Sequence, residues 1–186
     1  MNVLLSRLAL AACLLGLTAG IAACGDEEPG VDEPAREGLA IEMDGVDYNV
    51  FITRQLNPRV TPDEAYVADA ELDAGETLYG VFLEACNVSD APVQTANHFV
   101  IKDNQGNDFE PAELVEETEA ENPFLYRSQR LDPKECIPEA GSVAQLGPTA
   151  GAMIPFRMPL DNTENRPLEL EIIGEGDEML TFELDI

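Results

Sequence analysis

Leu78 to Cys86 sets the tightest limit on how this chain can fold, because it is apolar on both faces of an extended backbone. Tyr79, Val81, Leu83 and Ala85 fall on one side, and Leu78, Phe82 and Cys86 on the other. An alternating strand of a half-exposed sheet would carry polar residues at every second position. A run of this kind predicts a central strand covered on each side.

Elsewhere the period is two. Val46, Tyr48, Val50 and Ile52 alternate with Asp47, Asn49, Phe51 and Thr53, which predicts a strand with its first set toward a core. Leu39 to Met43 is expected to pair with it through Asp44-Gly45, a hairpin signal. His98 to Lys102 puts Phe99 and Ile101 on one side, turns at Asp103-Asn104-Gln105-Gly106-Asn107, and lets Phe109 pair back before Pro111. Ile154, Phe156 and Met158 oppose Pro155, Arg157 and Pro159; prolines on one side suit an edge strand. Leu168, Leu170 and Ile172 then form a hairpin with Leu180, Phe182, Leu184 and Ile186 through Gly174-Glu175-Gly176-Asp177.

Between these strands, Gln55 to Ala74 reads as a long connection with a helical turn after Thr61-Pro62-Asp63-Glu64. Pro111 to Asn122, rich in Glu, reads as a short inserted surface helix, Phe124 to Arg130 as a further strand and Ser142 to Ala152 as a small-residue loop. Short alternating strands joined by such turns predict an all-β, antiparallel sandwich.

The first residues have a different character. Arg7 precedes an apolar run from Leu8 to Ile21, and Ile21-Ala22-Ala23 leads into Cys24, the arrangement of a lipoprotein signal peptide. The run is shorter than the roughly 20 residues that cross hydrocarbon. Leu10-Ala11-Ala12-Cys13 resembles a second attachment box, but cleavage there would leave only a few apolar residues after Arg7. Residues 1–23 are therefore expected to be removed, and Cys24 to carry a diacylglyceryl group whose two chains anchor the chain to the membrane. Residues 24–37, with six acids and two prolines after Cys24, are expected to be a flexible tether. Thirteen extended residues reach at most about 45 Å. Residues 38–186 are expected to form one domain on the extracytoplasmic side.

Composition narrows the partners. The formal net charge is -27, and removing residues 1–23 takes away Arg7 and no acid, giving -28. Nucleic-acid binding, which needs cations along phosphates, is excluded, since Lys102 and Lys134 are the only lysines. Such a field favours solubility at an exposed site, or a basic or envelope-protein partner. With Cys13 cleaved and Cys24 acylated, Cys86 and Cys136 remain as a pair in an oxidising compartment. Neither sits in a Cys-x-x-Cys arrangement, so a structural disulfide is expected.

No catalytic residue is assigned. A hydrolase requires a nucleophile with a base, and His98, the only histidine, falls on the side of its strand opposite Phe99 and Ile101. No Gly-x-Ser-x-Gly elbow, phosphate loop or paired-histidine motif is present, and no cofactor is implied. Asp103, Asn104, Asn107 and Asp108 gather oxygen ligands in one turn and are weak calcium candidates, as are the acids from Glu113 to Glu121, although the full EF-hand pattern is absent. Met153, Met158 and Met179 with His98 are the available soft ligands for copper. Arg54, at the end of its strand, is expected to pair with a carboxylate; Arg127 and Arg130 flank Ser128-Gln129 without an assigned role.

The order of Cys24, the strand around Tyr48 to Thr53, Leu78 to Asn87 leading to Asp90-Ala91-Pro92, Phe99 to Asp103 with Gly106, and Phe156-Arg157-Met158-Pro159 resembles an immunoglobulin-like lipoprotein domain of unknown function common in Gram-positive bacteria. That domain is similar to the immunoprotective extracellular proteins of mycobacteria. The resemblance covers roughly Gly38 to Ile173 and implies an immunoglobulin-like sandwich with a cell-envelope role; it implies no catalytic residues and names no ligand. The acidic insertion and the Cys86–Cys136 pair depart from its pattern.

Overall fold

A computed structural model describes residues 28–67, 70–114 and 122–186. The chain runs through β1 (Ala35–Arg36), β2 (Ala40–Met43), β3 (Val46–Leu56), β4 (Glu76–Asn87), β5 (Val93–Gln94), β6 (His98–Lys102), β7 (Asp108–Phe109), β8 (Arg130–Leu131), β9 (Cys136–Ile137), the one-turn helix α1 (Val143–Leu146), β10 (Ala152–Pro159), β11 (Glu169–Ile173) and β12 (Met179–Glu183). One sheet has the order β10-β4-β3-β2, with β9 also pairing to β4, and the other β1-β12-β11-β6-β7; β5 and β8 form a separate ribbon. These pairings are antiparallel except that of β1 with β12. The all-β sandwich expected from the alternation is the fold.

β4 lies at the centre of its sheet, as its two apolar faces require. Tyr79, Val81, Leu83 and Ala85 join the core between the sheets, together with Phe99, Ile101, Leu170, Ile172, Leu180 and Phe182 from the facing sheet. Leu78 and Phe82 project the other way into a second core with Leu56, Tyr66, Val67, Leu114, Phe124, Ala144 and Met153. The second core is roofed by the connection after β3, the insertion before β8 and α1, so irregular chain forms a third layer over one sheet.

The β2–β3 hairpin turns at Asp44 and Gly45, both at positive φ (54° and 78°), as a two-residue turn matched to strand twist demands. β10 is an edge, as its prolines suggested. The insertion covers that edge: Ala112 N–H donates to Pro155 O, Met153 N–H to Phe124 O, and Tyr126 N–H to Met153 O.

Four expectations are corrected. The register of β3 on β4 shifts between Val50 and Ile52, so Ile52 faces outward at 41% exposure while Thr53 is buried; the extra residue of a bulge reverses the faces that follow. Phe124 to Gln129 is not a strand: it makes one isolated bridge, Leu125 to Met153, and ladder pairing begins at Arg130. The loop from Ser142 holds α1, capped where Ser142 Oγ accepts from Gln145 N–H. Residues 28–37, placed in the tether, lie against the sandwich. Ala35 pairs with Phe182 and is buried, and Thr181 N–H donates to Gly30 O at 2.7 Å. Their few apolar side chains gave no periodic signal; backbone pairing and the close approach of Gly30 to Ile41 and Leu180 dock them. The helix expected from Pro111 falls largely on 115–121, outside the described residues.

Candidate functional site

β3 and β4 run the length of the molecule and divide it into two poles. At about 3.3 Å per residue, β3 alone separates those poles by roughly 35 Å. One pole carries the Asp44-Gly45 turn, Asn87 to Pro92 and the turn between β11 and β12. The other carries the chain after Leu56 and before Glu76, where a groove of about 880 Å³ opens between residues 55–59 and 70–77.

The wall of that groove is held by Arg54. Because the bulge turns Arg54 to the outer face, its Nη1 reaches Asp63 Oδ1 at 2.7 Å, and its guanidinium lies 5.6 Å from the Tyr66 ring centre and 5.5 Å from that of Phe82. Cation–π contact of this kind strengthens as the cation loses water, and the side chain is only 27% exposed. Gly80, opposite Arg54 in the ladder, makes room: a Cβ there would come within 2.9 Å of Leu56 and Phe82. Asp63 also accepts from Asn57 N–H at 2.9 Å, and Arg54 Nε donates to Thr149 Oγ1. The expected ion pair is present, with a partner in the proline-rich connection. Facing the groove, Arg59 is set against Glu71, Asp73 and Glu76, and Gln55 donates to Thr77 Oγ1 at 2.7 Å. The lining offers hydrogen-bonding amides and carboxylates with a net negative charge.

A smaller cavity of about 210 Å³ lies against the insertion, lined mainly by apolar groups including Phe99, Leu114, Leu125 and Met153. Tyr126 closes one side, stacking edge-on against Phe99 and donating its hydroxyl to Ala96 O. Burial pushes that phenol above its ordinary value.

The turn after β6 is a knot of donors around one carboxylate. Asp103 Oδ1 accepts from the backbone N–H of Gln105 and Asn107, both at 2.9 Å. Its Oδ2 accepts from the side-chain amides of Asn107, Asn162 and Asn165 at 2.8 to 2.9 Å. Desolvation raises the carboxyl pKa, but the donors of Asn107, Asn162 and Asn165 outweigh it and hold the group far below the usual carboxylate range. Asn104 donates to Arg166 O and to no carboxylate. Asp103 thus ties the β6–β7 turn to the chain after β10, and a cation there would have to displace five N–H donors. Asp108 sits in β7, paired with Lys102. Among the described residues no group of three or more His, Cys, Asp or Glu side chains could hold a metal ion. Asn162 and Asn165 gave no sequence signal, since nothing local links them to a turn so far back along the chain.

Cys86 and Cys136 are directly opposed in the β4–β9 ladder and joined by a disulfide at 2.04 Å. Cys24, Cys13 and the acids from Glu116 to Glu121 lie outside the described residues. His98 is half-exposed, 3.8 Å from Glu110. The methionines do not converge: Met153 is in the outer core, Met158 in the inner one, and Met179 is exposed.

These features define a class: a two-sheet β-sandwich with a polar groove at one pole. In fold the chain is similar to the crystal structure of the yjhA protein from Bacillus subtilis, with 10% identity and a TM-score of 0.52 over 81% of this chain and 99% of that one. An uncharacterized beta-sandwich protein from Clostridium difficile matches with 16% identity and a TM-score of 0.46 over 85% of this chain and 100% of that one. A conserved hypothetical protein from Bacillus anthracis matches at 8% and 0.46, over 78% and 93%. No family model matches the sequence, and no curated protein matches it.

Proposed function

We propose that the chain is an extracytoplasmic lipoprotein, anchored through Cys24, whose sandwich acts as a non-enzymatic binding module of the cell envelope. The observation that carries this reading is the Cys86–Cys136 bridge, because disulfides persist in oxidising compartments and the remaining cysteines fall in the leader and its attachment box. The resemblance to the immunoglobulin-like lipoprotein domain belongs to the same reading. The groove at the far pole, with Glu71, Asp73 and Glu76 against one Arg59, suits a basic or hydrogen-bond-donating segment of a protein partner. The test is the mass of the N-terminal peptide of the protein purified from its own membranes. A diacylated Cys24 at the first position supports the proposal. An intact, unmodified Met1 terminus in the cytosol overturns it, as does unchanged detergent-phase partitioning of the Cys24→Ala variant.

A further inference from the structure

Resting on that anchored reading, we infer that the sandwich does not swing on a long tether but is held with one defined pole against the bilayer, so that the polar groove faces outward. Residues 28–33 close a turn on themselves, with Glu28 N–H donating to Asp32 Oδ2 at 3.0 Å and Gly30 N–H to Glu33 O at 2.6 Å, and that turn is fastened to the fold where Thr181 N–H donates to Gly30 O at 2.7 Å. β1 then pairs with Phe182 and Glu183. Only Gly25, Asp26 and Glu27 separate Cys24 from the first residue of that turn. Four Cα–Cα steps span at most about 15 Å, against about 45 Å for a tether reaching Glu37.

The pole reached by that short lead is fixed by register. Gly30 packs against Ile41 and Leu180, which places it beside the turn between β11 and β12. Glu175 N–H donates to Asp44 Oδ2, and Val88 N–H donates to Gly45 O. Val31 (59% exposed), Val88 (52%) and Met179 (43%) therefore share the pole beside the anchor. These apolar side chains suit the headgroup boundary, where anchored or amphipathic segments bury apolar area. Glu28, Asp32, Glu33, Asp44 and Glu175 stand among them, so the fit is to a zwitterionic surface; an anionic one repels these groups within a Debye length of about 8 Å. Val60 marks the other pole: its N–H donates to Asn57 O just beyond β3, and it is 52% exposed.

The chain contains no Trp, so single substitutions at these two exposed sites report position directly. V31W and V60W, prepared as the mature acylated protein and confirmed by mass, are reconstituted in phosphatidylcholine vesicles carrying a dansyl-labelled lipid headgroup as energy-transfer acceptor. Val31→Trp is expected to lose emission strongly to the acceptor and Val60→Trp to lose little. Inserting a ten-residue Gly/Ser linker after Glu27 should abolish the difference. Equal transfer from both positions, or a difference that survives the linker, overturns the inference. Absence of the acyl group in the mass measurement overturns the anchored reading itself, a result distinguishable from equal transfer in acylated protein.

Discussion

The two faces of β4 are buried by different means. Its inner face meets a second sheet, so the backbone groups of both layers are paired within their own ladders and apolar side chains complete the core. Its outer face meets irregular chain, whose N–H and C=O groups lack ladder partners and need side chains to satisfy them. Asn122 does this for two groups, donating to Tyr66 O at 2.7 Å and accepting from Phe124 N–H at 3.0 Å. Tyr66 adds a third pin by accepting from Thr149 N–H, and Arg54 and Asp63 a fourth. An apolar layer built from loops needs buried polar pins, whereas the strands of the inner layer pair their own backbone and a pin there, such as Tyr48 Oη accepting from Ala96 N–H at 2.7 Å, serves a loop that enters it.

The largest test contrasts the two faces directly. Phe182→Ala in the inner core should cost about 3–5 kcal/mol in a denaturant titration. Phe124→Ala, at 8% exposure in a roof of loops, should cost less, because that layer can collapse onto the gap; its amide exchange should accelerate around 122–126 and not in β11. Equal costs would break the distinction. Next, removing the bridge with C86S/C136S should lower stability by up to about 4 kcal/mol, since the bridge closes a long loop that contains the insertion. A Tm unchanged by the double substitution would show that the insertion is already constrained by its pins.

Asn122→Ala should cost about 1–3 kcal/mol, the usual penalty for leaving buried backbone groups unsatisfied. The smallest effects are in pH dependence, and they have opposite signs. Burial raises the Glu37 pKa above 4.5, opposed by Thr53 and the backbone of Asp185, and Glu37 Oε1 is buried without a hydrogen-bond partner. The folded state binds this proton more tightly, so stability falls as pH rises from about 4.5 through the folded pKa, and Glu37→Gln should flatten that limb. Asp103 is lowered from 3.8; its contribution is present at and above that value and is lost as pH falls below it. Asp103→Asn should remove this acid limb. Melting curves across pH 2–7 separate the two.

The strands were legible because their alternation is local, and β4 announced both of its layers at once. The bulge was not: Ile52 continues the apolar alternation through Val50, and only pairing with β4 reveals that Phe51 is extra. The docking of residues 28–37 was hidden for a related reason, since backbone pairing with β12 does not require an apolar pattern. Arg54 was readable as half of an ion pair because cations are scarce, but its partner lay in a connection without periodicity. Asp103 was readable as a turn residue, while Asn162 and Asn165 lie in a segment that showed nothing in common with it.

The extra residue at Phe51 has an evolutionary corollary. Deleting that position would leave Ile52 opposite Phe82 and Arg54 opposite Gly80 in an unbroken ladder, so a homologue one residue shorter here keeps its arginine on the outer face. A homologue of the same length that pairs position 51 with Phe82 instead aims position 54 into the dry space between the two sheets, where a guanidinium without a carboxylate is prohibitively costly. Lineages that keep the residue but close the bulge should accordingly carry an apolar side chain at position 54, whereas lineages that delete it can retain the arginine.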